Sequence, residues 1–395
     1  MSFLIIYIFL LFFCRIGISI LEYTFSIGDI FFIITFPLSI LLTKLVNIKK
    51  IFIPFLLFYF IFISYLSITY IVNLNYIQAK IFLLEFIPFI YAFFLYIYIY
   101  SNLHNFNLFY KFFKNYLFLY PLYLIGIIFI IFFFWENIPI WENKRLIFFL
   151  KKPNQLASLI INLGSIYFIF FYIKKYIYNN IKRNEYFLIL IMIFISIYIL
   201  ILTGSRAGIF SFIIILCINI MFIFRKYFLF ILLLILSFTI GWIYSPLFKI
   251  DIYIISRYQE FIFYNLINLK IEGVTEETIY KGFEIFTNNP FLGAGLGVLR
   301  IYYTHEVHNL IIKLLSNIGI IGFVLFLLWI LYIPYLLLKC KVDKLLSILI
   351  LMNLIVIMLI LQFTHYMLRE RWIHLFISTI VLTIINIKNK AKCVV

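Results

Sequence analysis

Charged side chains are scarce in this 395-residue chain, in which Asp, Glu, Lys and Arg together make up 12% of the residues. So few charges exclude a soluble globular protein, because a water-exposed surface needs more of them. The rest of the composition agrees: 66% of the residues are hydrophobic, 22% are aromatic, and the mean hydropathy is +1.15. The sequence therefore predicts an all-α polytopic integral membrane protein.

Cysteine is also rare. The four cysteines are scattered and show no CxxC spacing; they are Cys14, Cys217, Cys340 and Cys393. This pattern is not typical of a disulfide framework or of a zinc site. The chain also lacks a GxxxxGK[ST] motif, so we expect that it does not use ATP. We expect neither a metal nor a cofactor.

Apolar runs of near membrane-span length recur from Phe3 to Ile387. We count about twelve at roughly 20 residues each, the length at which a helix crosses a bilayer. They begin near residues 3, 27, 51, 81, 116, 155, 186, 207, 227, 318, 345 and 372. The first run lacks a basic n-region and a cleavage site, so we expect a retained span rather than a signal peptide. Residues 1–395 are predicted to form a single membrane domain.

The net charge of +17 is explained by membrane topology rather than by nucleic-acid binding. With the N-terminus in the cytoplasm and the loops on alternate sides, cytoplasmic segments collect 17 of the 32 basic residues but 2 of the 15 acidic ones. Because loops rich in Lys and Arg stay in the cytoplasm, the count favours this orientation. We therefore expect membrane lipids, and no nucleic acid, as partners.

Four segments with unexplained polar residues then fall on the opposite, extracytoplasmic side. They are residues 135–154, 203–206, 249–305 and 365–374. The third is predicted to be one long extracytoplasmic loop within the membrane domain. The cytoplasmic loops are by contrast short and lysine-rich. The sequence thus predicts a functional site on the extracytoplasmic face.

Arg206 lies in LTGSRAG, between two apolar runs, at or just inside the outer membrane boundary. Burying an arginine there is costly, which favours a functional role, although an arginine at the end of a span can also extend to the lipid headgroups. Gly204, Ser205 and Gly208 allow close backbone approach and supply donors beside the guanidinium. This combination suits a phosphate group.

Four further arginines add to the candidate site. Arg257 is followed by aromatic residues, so its segment is either part of the site or an interfacial helix. Arg145 adds positive charge to the loop at 135–154. Arg369 and Arg371 flank Glu370, and either they bind an anionic acceptor or Glu370 neutralises one of them.

The segment NPFLGAGLG at 289–297 is rich in glycine. Gly293, Gly295 and Gly297 let the backbone turn and leave amide groups open, an arrangement that suits an anionic ligand. The alternative is a simple turn between two helices.

His305 and His308 follow three residues apart, so they share one face of a helix. Neutral imidazole accepts a hydroxyl proton near pH 7, which makes either histidine a candidate general base, with Asn309 as an orienting partner. The alternative is a hydrogen-bonded interfacial histidine. Without a carboxylate or cysteine at matching spacing, the two histidines do not predict a metal site.

Taken in order, these motifs resemble the O-antigen ligase/polymerase family. The resemblance covers about residues 200–330: SRAG at 205–208, an arginine after the next span, the glycine-rich segment, HN at 308–309 and GIIG at 319–322, with an echo in KPNQLA at 152–157. It implies a GT-C-like membrane glycosyltransferase that takes a glycan from undecaprenyl pyrophosphate on the periplasmic side. The acceptor is a hydroxyl of a glycolipid or glycan.

By the same resemblance, Arg206 and Arg257 bind the donor pyrophosphate and His308 activates the acceptor. Two residues before HN, where family members often carry a second histidine, this chain has Glu306, with His305 one residue earlier. We expect an O-antigen ligase of the bacterial inner membrane that acts on lipid A-core. A polymerase of the same family is the first alternative, and a secondary transporter of an anionic substrate is the second.

Overall fold

The computed structural model of the chain is dominated by helices that run back and forth along one bundle. It describes residues 2–13, 17–20, 23–43, 49–73, 79–133, 141–142, 145–148, 150, 153–178, 181–224, 229, 233, 237, 275–299, 309–361 and 370–393. The helices in these ranges are α1 (Ser2–Leu10), α2 (Ile27–Thr43), α3 (Ile53–Val72), α4 (Ala79–Leu103), α5 (Phe106–Phe133), α6 (Pro153–Tyr176), α7 (Arg183–Thr203), α8 (Arg206–Ile223), α9 (Thr275–Asn288), α10 (Leu310–Lys339), α11 (Lys344–Leu361) and α12 (Arg371–Cys393).

Within the described residues, seven helices are long and apolar enough to cross a membrane, and four apolar helices are shorter. The prediction of an α-helical membrane protein is therefore confirmed in its coarse form. For eleven of the predicted spans, the predicted first residue lies within about ten residues of the first residue of a described helix. The ninth, from residue 227, lies almost wholly outside the described residues, and the total of twelve stays a prediction.

Two short antiparallel hairpins correct the expectation of a purely helical chain. In the first, β1 (Gly17–Ile20) pairs with β2 (Tyr23–Ser26), and in the second, β3 (Trp141–Glu142) pairs with β4 (Arg145–Leu146). The first apolar run consequently does not form a 20-residue helix: α1 ends at Leu10 and a 3-10 turn ends at Phe13. Gly17 and the β-branched residues after it weaken a helix and favour a strand.

Helix α6 forms the centre of the bundle. Its most apolar 18-residue stretch is completely buried, and it packs against α5, α7, α8, α11 and α12. Small and polar residues allow this close packing, as in other membrane helix interfaces. Asn162, for example, donates through Nδ2 to the Ser158 carbonyl oxygen at 2.9 Å. The enclosed position of α6 means that its first turn is surrounded by the starts of other helices.

The loops assigned to the cytoplasm meet one another at one end of the bundle, which we call the lysine-rich end. Lys49 Nζ donates to the His104 carbonyl at 2.5 Å, and Lys174 pairs with Glu185. Tyr176 Oη donates to the Ile223 carbonyl at 3.2 Å. The other ends of the same helices meet at the opposite end of the bundle. From α2 to α8, helices that follow one another in sequence therefore run in opposite directions, the arrangement that the sorting of charge between loops requires.

Candidate functional site

The turn between α7 and α8 is built by its own small residues. Gly204 adopts a left-handed conformation (φ 58°) and donates its N–H to the Ile201 carbonyl at 2.9 Å. Ser205 is buried and caps α8, because its Oγ accepts from the Gly208 N–H at 3.2 Å. Arg206 is consequently the first residue of α8. The predicted site residue Ser205 thus acts as a helix cap that fixes where Arg206 lies.

Gly208 brings the start of α8 against the start of α6. A Cβ atom at Gly208 would lie 2.7 Å from the Ala157 Cβ, a separation that real side chains do not tolerate. A larger residue at this position would push the two helices apart. The SRAG and KPNQLA segments, about 50 residues apart in sequence, are therefore neighbours in the structure.

The start of α6 in turn contacts the start of α12. Gln155 donates from Nε2 to Glu370 Oε1 at 2.6 Å, and Trp372 donates from Nε1 to Ser158 Oγ at 2.9 Å. Glu370 and Ser158 are both buried. These two side-chain bonds fix the start of α12 on α6.

Arg371 joins α12 to α2 through an ion pair with Asp29 at 2.5 Å. Asp29 is buried, and its Oδ2 also accepts from the N–H and hydroxyl of Ser26 at 2.8 and 2.9 Å. The Arg371 guanidinium lies 5.3 Å from the centre of the Tyr91 ring. Arg371 thus has a carboxylate partner on α2 that the sequence did not indicate, and the two expected roles of residues 369–371 stay predictions.

Four helices therefore begin close together. We call their first turns the helix-start cluster, defined by Asp29 of α2, Gln155 of α6, Ser205 and Arg206 of α8, and Arg371 of α12. The first turn of a helix presents unpaired N–H groups and the positive end of the helix dipole. Each carboxylate here already accepts hydrogen bonds, Asp29 from Arg371 and Glu370 from Gln155. Such a cluster favours an anion with several oxygen atoms.

The depth of the cluster follows from α4. Tyr91 lies twelve residues after the first residue of this 25-residue helix, or about 18 Å along its axis. Arg371, packed on Tyr91, is consequently nearer the middle of α4 than its end. Ionisable groups at such a depth are costly and are a default indication of a functional site in a membrane protein.

The glycine-rich segment lies against an interruption in α10. Gly319 has φ 63° and ψ −171°, which breaks the helix. Ala294 and Gly295 donate their N–H groups to the carbonyls of Ser316 and Asn317 at 2.9 and 2.8 Å. On the other side of the break, the Ile320 N–H donates to the Pro290 carbonyl at 2.9 Å. The segment thereby replaces the backbone hydrogen bonds that the break removes, as apolar surroundings require.

This arrangement needs glycine on both sides. A Cβ atom at Gly293 would lie 2.4 Å from the Ile318 nitrogen, and one at Gly319 would lie 2.3 Å from the Phe291 carbonyl oxygen. The Gly293 N–H donates to the Asn289 carbonyl at 3.0 Å. The amide groups of Gly293 and Gly295 are therefore not open to an anion as expected, because the first donates within its own turn and the second to the break in α10. A role of these glycines at a substrate stays a prediction.

Gly297 connects the same segment to α4. Its φ is +92°, and a Cβ atom there would lie 2.6 Å from Ile81 Cγ2 and 3.5 Å from Glu85 Cγ. Glu85 is buried and precedes Tyr91 by six residues on the same helix, or about 9 Å along the axis. The glycine-rich segment and the helix-start cluster thus both lie along the outer half of α4.

Asn309 begins α10. Its side-chain oxygen accepts from the Ile312 N–H at 3.1 Å, which makes it the N-cap of the helix. This use of the oxygen is a structural role that the sequence analysis did not assign to it.

Several predicted site residues lie outside the described residues. These are Arg257, His305, His308 and Arg369. Arg145 is described as the first residue of β4 and Arg206 as the first residue of α8, in both cases for the backbone alone. The structure places Ser205, the backbone of Arg206 and Arg371 at the starts of α8 and α12, which both contact the start of α6. The predicted base, His308, stays a prediction from the sequence.

Three residues in or beside the cluster were not predicted from the sequence: Asp29 and Tyr91, which contact Arg371, and Gln155, which donates to Glu370. The sequence does contain a pattern that indicates Asp29. SIGDIFF places an acidic residue at the start of an apolar run, and an acid inside a membrane segment requires a cationic partner. Nothing in the sequence identifies that partner as Arg371, because 342 residues separate the two.

Compared with models of protein families, with curated proteins and with solved structures, the chain matches none of them. The function is therefore argued from the residues of the site and from the order of the sequence motifs.

Proposed function

We propose that the protein is a membrane glycosyltransferase that transfers a glycan from undecaprenyl pyrophosphate to an acceptor hydroxyl. The observation that carries the proposal is the helix-start cluster, in which the start of α8 contacts α6, the start of α6 contacts α12, and the start of α12 contacts α2. Helix N-termini and guanidinium groups both bind phosphate oxygens. A pyrophosphate is the anion that best fits several such donors at one place.

The proposed chemistry needs two functions from the protein. The bond between the sugar C1 atom and the phosphate oxygen breaks, and the electron pair leaves on undecaprenyl pyrophosphate. Arg206 and Arg257 stabilise that charge. The acceptor oxygen forms the new bond to C1 while its proton passes to His308 as general base. Because the pyrophosphate is already a good leaving group, the reaction requires no ATP.

We further propose that the chain acts as an O-antigen ligase of the bacterial inner membrane, with lipid A-core as acceptor and the site open to the periplasm. Deletion of the gene tests the acceptor. Loss of all long glycan chains from lipid A supports a ligase, whereas lipid A capped with single repeats identifies a polymerase of the same family. Unchanged surface glycans contradict both.

A secondary transporter is the rival from another class, and the break in α10 bears on it. Transporters interrupt helices near the bilayer midplane, where the substrate binds. In α10, Gly319 is followed by 20 residues up to Lys339, or about 30 Å of helix, which by itself matches the thickness of the hydrocarbon core. The break is thus near one end of the span. The break in α10 therefore does not mark a transport site at the midplane, whereas the depth of Arg371 beside Tyr91 does not distinguish an enzyme from a transporter.

The donor site is tested with two arginines that each begin a helix. Arg206→Lys should impair transfer from a synthetic lipid-linked donor, because a point ammonium does not reproduce bidentate contact with a phosphate. Arg183→Lys, at the first residue of α7 and at the lysine-rich end, is the matched control and should leave the rate unchanged. Wild-type activity of Arg206→Ala at normal protein levels removes Arg206 from the mechanism.

A further inference from the structure

A cavity lies between α5, α6 and α7 at the lysine-rich end, the end of the bundle opposite to the helix-start cluster. Its volume is about 200 Å³, many times what one water molecule needs. The polar part of its lining includes Lys114 and Asn115 of α5, Lys174 of α6 and Glu185 of α7. None of these residues belongs to the proposed glycosyl-transfer site.

The charges in the lining leave Lys114 unbalanced. Glu185 is engaged twice, by the Lys174 ammonium and by the Lys182 N–H at 3.2 Å. Lys174 is thereby neutralised within the lining. Across the residues that the structure describes, the Lys114 ammonium has no hydrogen bond or ion pair. The cavity therefore carries one cation and one side-chain amide, from Asn115, that are available to a ligand.

The position of Lys114 matches the membrane boundary. It lies eight residues after Phe106, the start of the 28-residue helix α5, or about 12 Å along the axis. A helix of that length measures about 42 Å and exceeds the hydrocarbon core by about 12 Å. The basic residues of α5 lie near its start, so we place the excess there, and Lys114 is then level with the lipid headgroups of the lysine-rich side.

The walls of the cavity are apolar on the membrane side. Phe118 follows Lys114 by four residues, so the two share a face of α5. Phe118 is 55% exposed on a helix long and apolar enough to span the membrane, so it faces acyl chains. Phe171 and Leu188 complete this part of the lining. The cavity thus has a cationic rim and an apolar wall that opens toward lipid.

We propose that this cavity binds the phosphate of an anionic phospholipid from the lysine-rich, cytoplasmic leaflet. Basic pockets between membrane helices on the cytoplasmic side recognise such headgroups. The phosphodiester oxygens accept hydrogen bonds from Lys114 and Asn115, and an acyl chain lies along Phe118. A water-soluble phosphate would also bind Lys114 and Asn115, but it has no acyl chain to contact Phe118. The apolar wall therefore favours a lipid.

The test uses the purified full chain, stripped of lipid in detergent and titrated with dioleoyl phosphatidylglycerol or dioleoyl phosphatidylcholine, with bound lipid counted by native mass spectrometry. Phosphatidylglycerol should bind more tightly than phosphatidylcholine. Lys114→Gln should weaken phosphatidylglycerol binding about fivefold, the effect of one lysine near a headgroup. Lys114→Arg should retain binding. Lys111→Gln, an exposed lysine one turn earlier that does not line the cavity, is the matched control and should change little.

Equal binding of the two lipids, or equal losses in Lys114→Gln and Lys111→Gln, overturns the proposal. A third arm separates the two sources of phosphate: sodium phosphate is added in large excess, with sodium chloride at matched ionic strength. Displacement by phosphate alone assigns the cavity to a water-soluble ligand and overturns the lipid. Retention of the lipid under both salts supports it.

Discussion

Arg371 and Asp29 form an ion pair between the first turns of α12 and α2, with N and O atoms 2.5 Å apart and 342 residues between them in sequence. The pair is the ion pair of the helix-start cluster among the described residues. The two partners differ in exposure: 13% of the arginine side chain is exposed, but only 1% of the aspartate side chain. Loss of the arginine would consequently leave a buried carboxylate without its cation.

The first prediction concerns this pair. Asp29→Asn and Arg371→Gln should each destabilise the protein by about 3–5 kcal/mol, because each leaves one buried charge unpaired. The double variant should lose clearly less than the sum of the two. Thermal unfolding of the purified protein in a single detergent measures all three. Glu284→Gln, an exposed carboxylate on α9, is the control, and strict additivity of the single effects would show that the pair is not coupled.

The second prediction concerns the break in α10. Gly319→Ala should destabilise the protein by more than about 2 kcal/mol, because a Cβ atom would be strained at φ 63° and would meet the Phe291 carbonyl. Gly126→Ala is the matched control within α5, since nothing lies within 4 Å of a Cβ atom there. It should be neutral or slightly stabilising. Equal melting temperatures for the two variants would mean that the break tolerates side chains.

The third prediction concerns topology. Single cysteines replacing Glu276 and Lys341 should show opposite accessibility to a membrane-impermeant maleimide added to intact cells. The background carries replacements of all four native cysteines. Cys340 is replaced because its own labelling would be confused with that of the adjacent Lys341→Cys. Burial raises the pKa of the Cys340 thiol, which slows this background reaction with the maleimide. Labelling of both positions from one side would contradict the alternating assignment of the loops.

The fourth prediction concerns the general base. His308→Ala should lower the transfer rate by roughly 10²- to 10⁴-fold while donor binding is retained. His305 shares a helical face with it in the sequence prediction, so His305→Ala is measured beside it, with EDTA present to remove metal ions. Full turnover in His308→Ala excludes it as the base. A selective collapse in His305→Ala would instead assign the base three residues earlier.

Helix positions were largely readable from the sequence, whereas the contacts between helices were not. The runs that begin at residues 27, 155 and 207 became α2, α6 and α8, because apolar length is a local property. The hairpin at Gly17–Ser26 was missed because its two strands are four residues each, too short to stand out in a search for span-length apolar runs. The turn at Ser205 was predicted as a polar site from its composition. Its contact with α6 depends on Ala157, which carries no signal of its own.

The break in α10 is a second case in which a motif was found in the sequence but its contacts were not predicted. GIIG at 319–322 was noticed as a motif, but the carbonyls freed at Gly319 were invisible without the fold. One of them, from Ile318, accepts a hydrogen bond from Tyr65 Oη at 3.0 Å. The glycines were expected to present amides to a ligand. The amides of Gly293 and Gly295 instead donate to backbone carbonyls, of Asn289 and Asn317 respectively.

The enclosure of α6 constrains the order in which the protein is assembled during synthesis. Ser158 and Trp372 are bonded although 214 residues separate them, so α6 leaves the ribosome long before α12 exists to cover it. Until then the Ser158 face of α6 lacks this partner, although α5, α7, α8 and α11 precede α12 in the chain and cover the other faces. The bundle therefore closes only when α12 is made, and a chain that stops before α12 leaves one face of α6 uncovered.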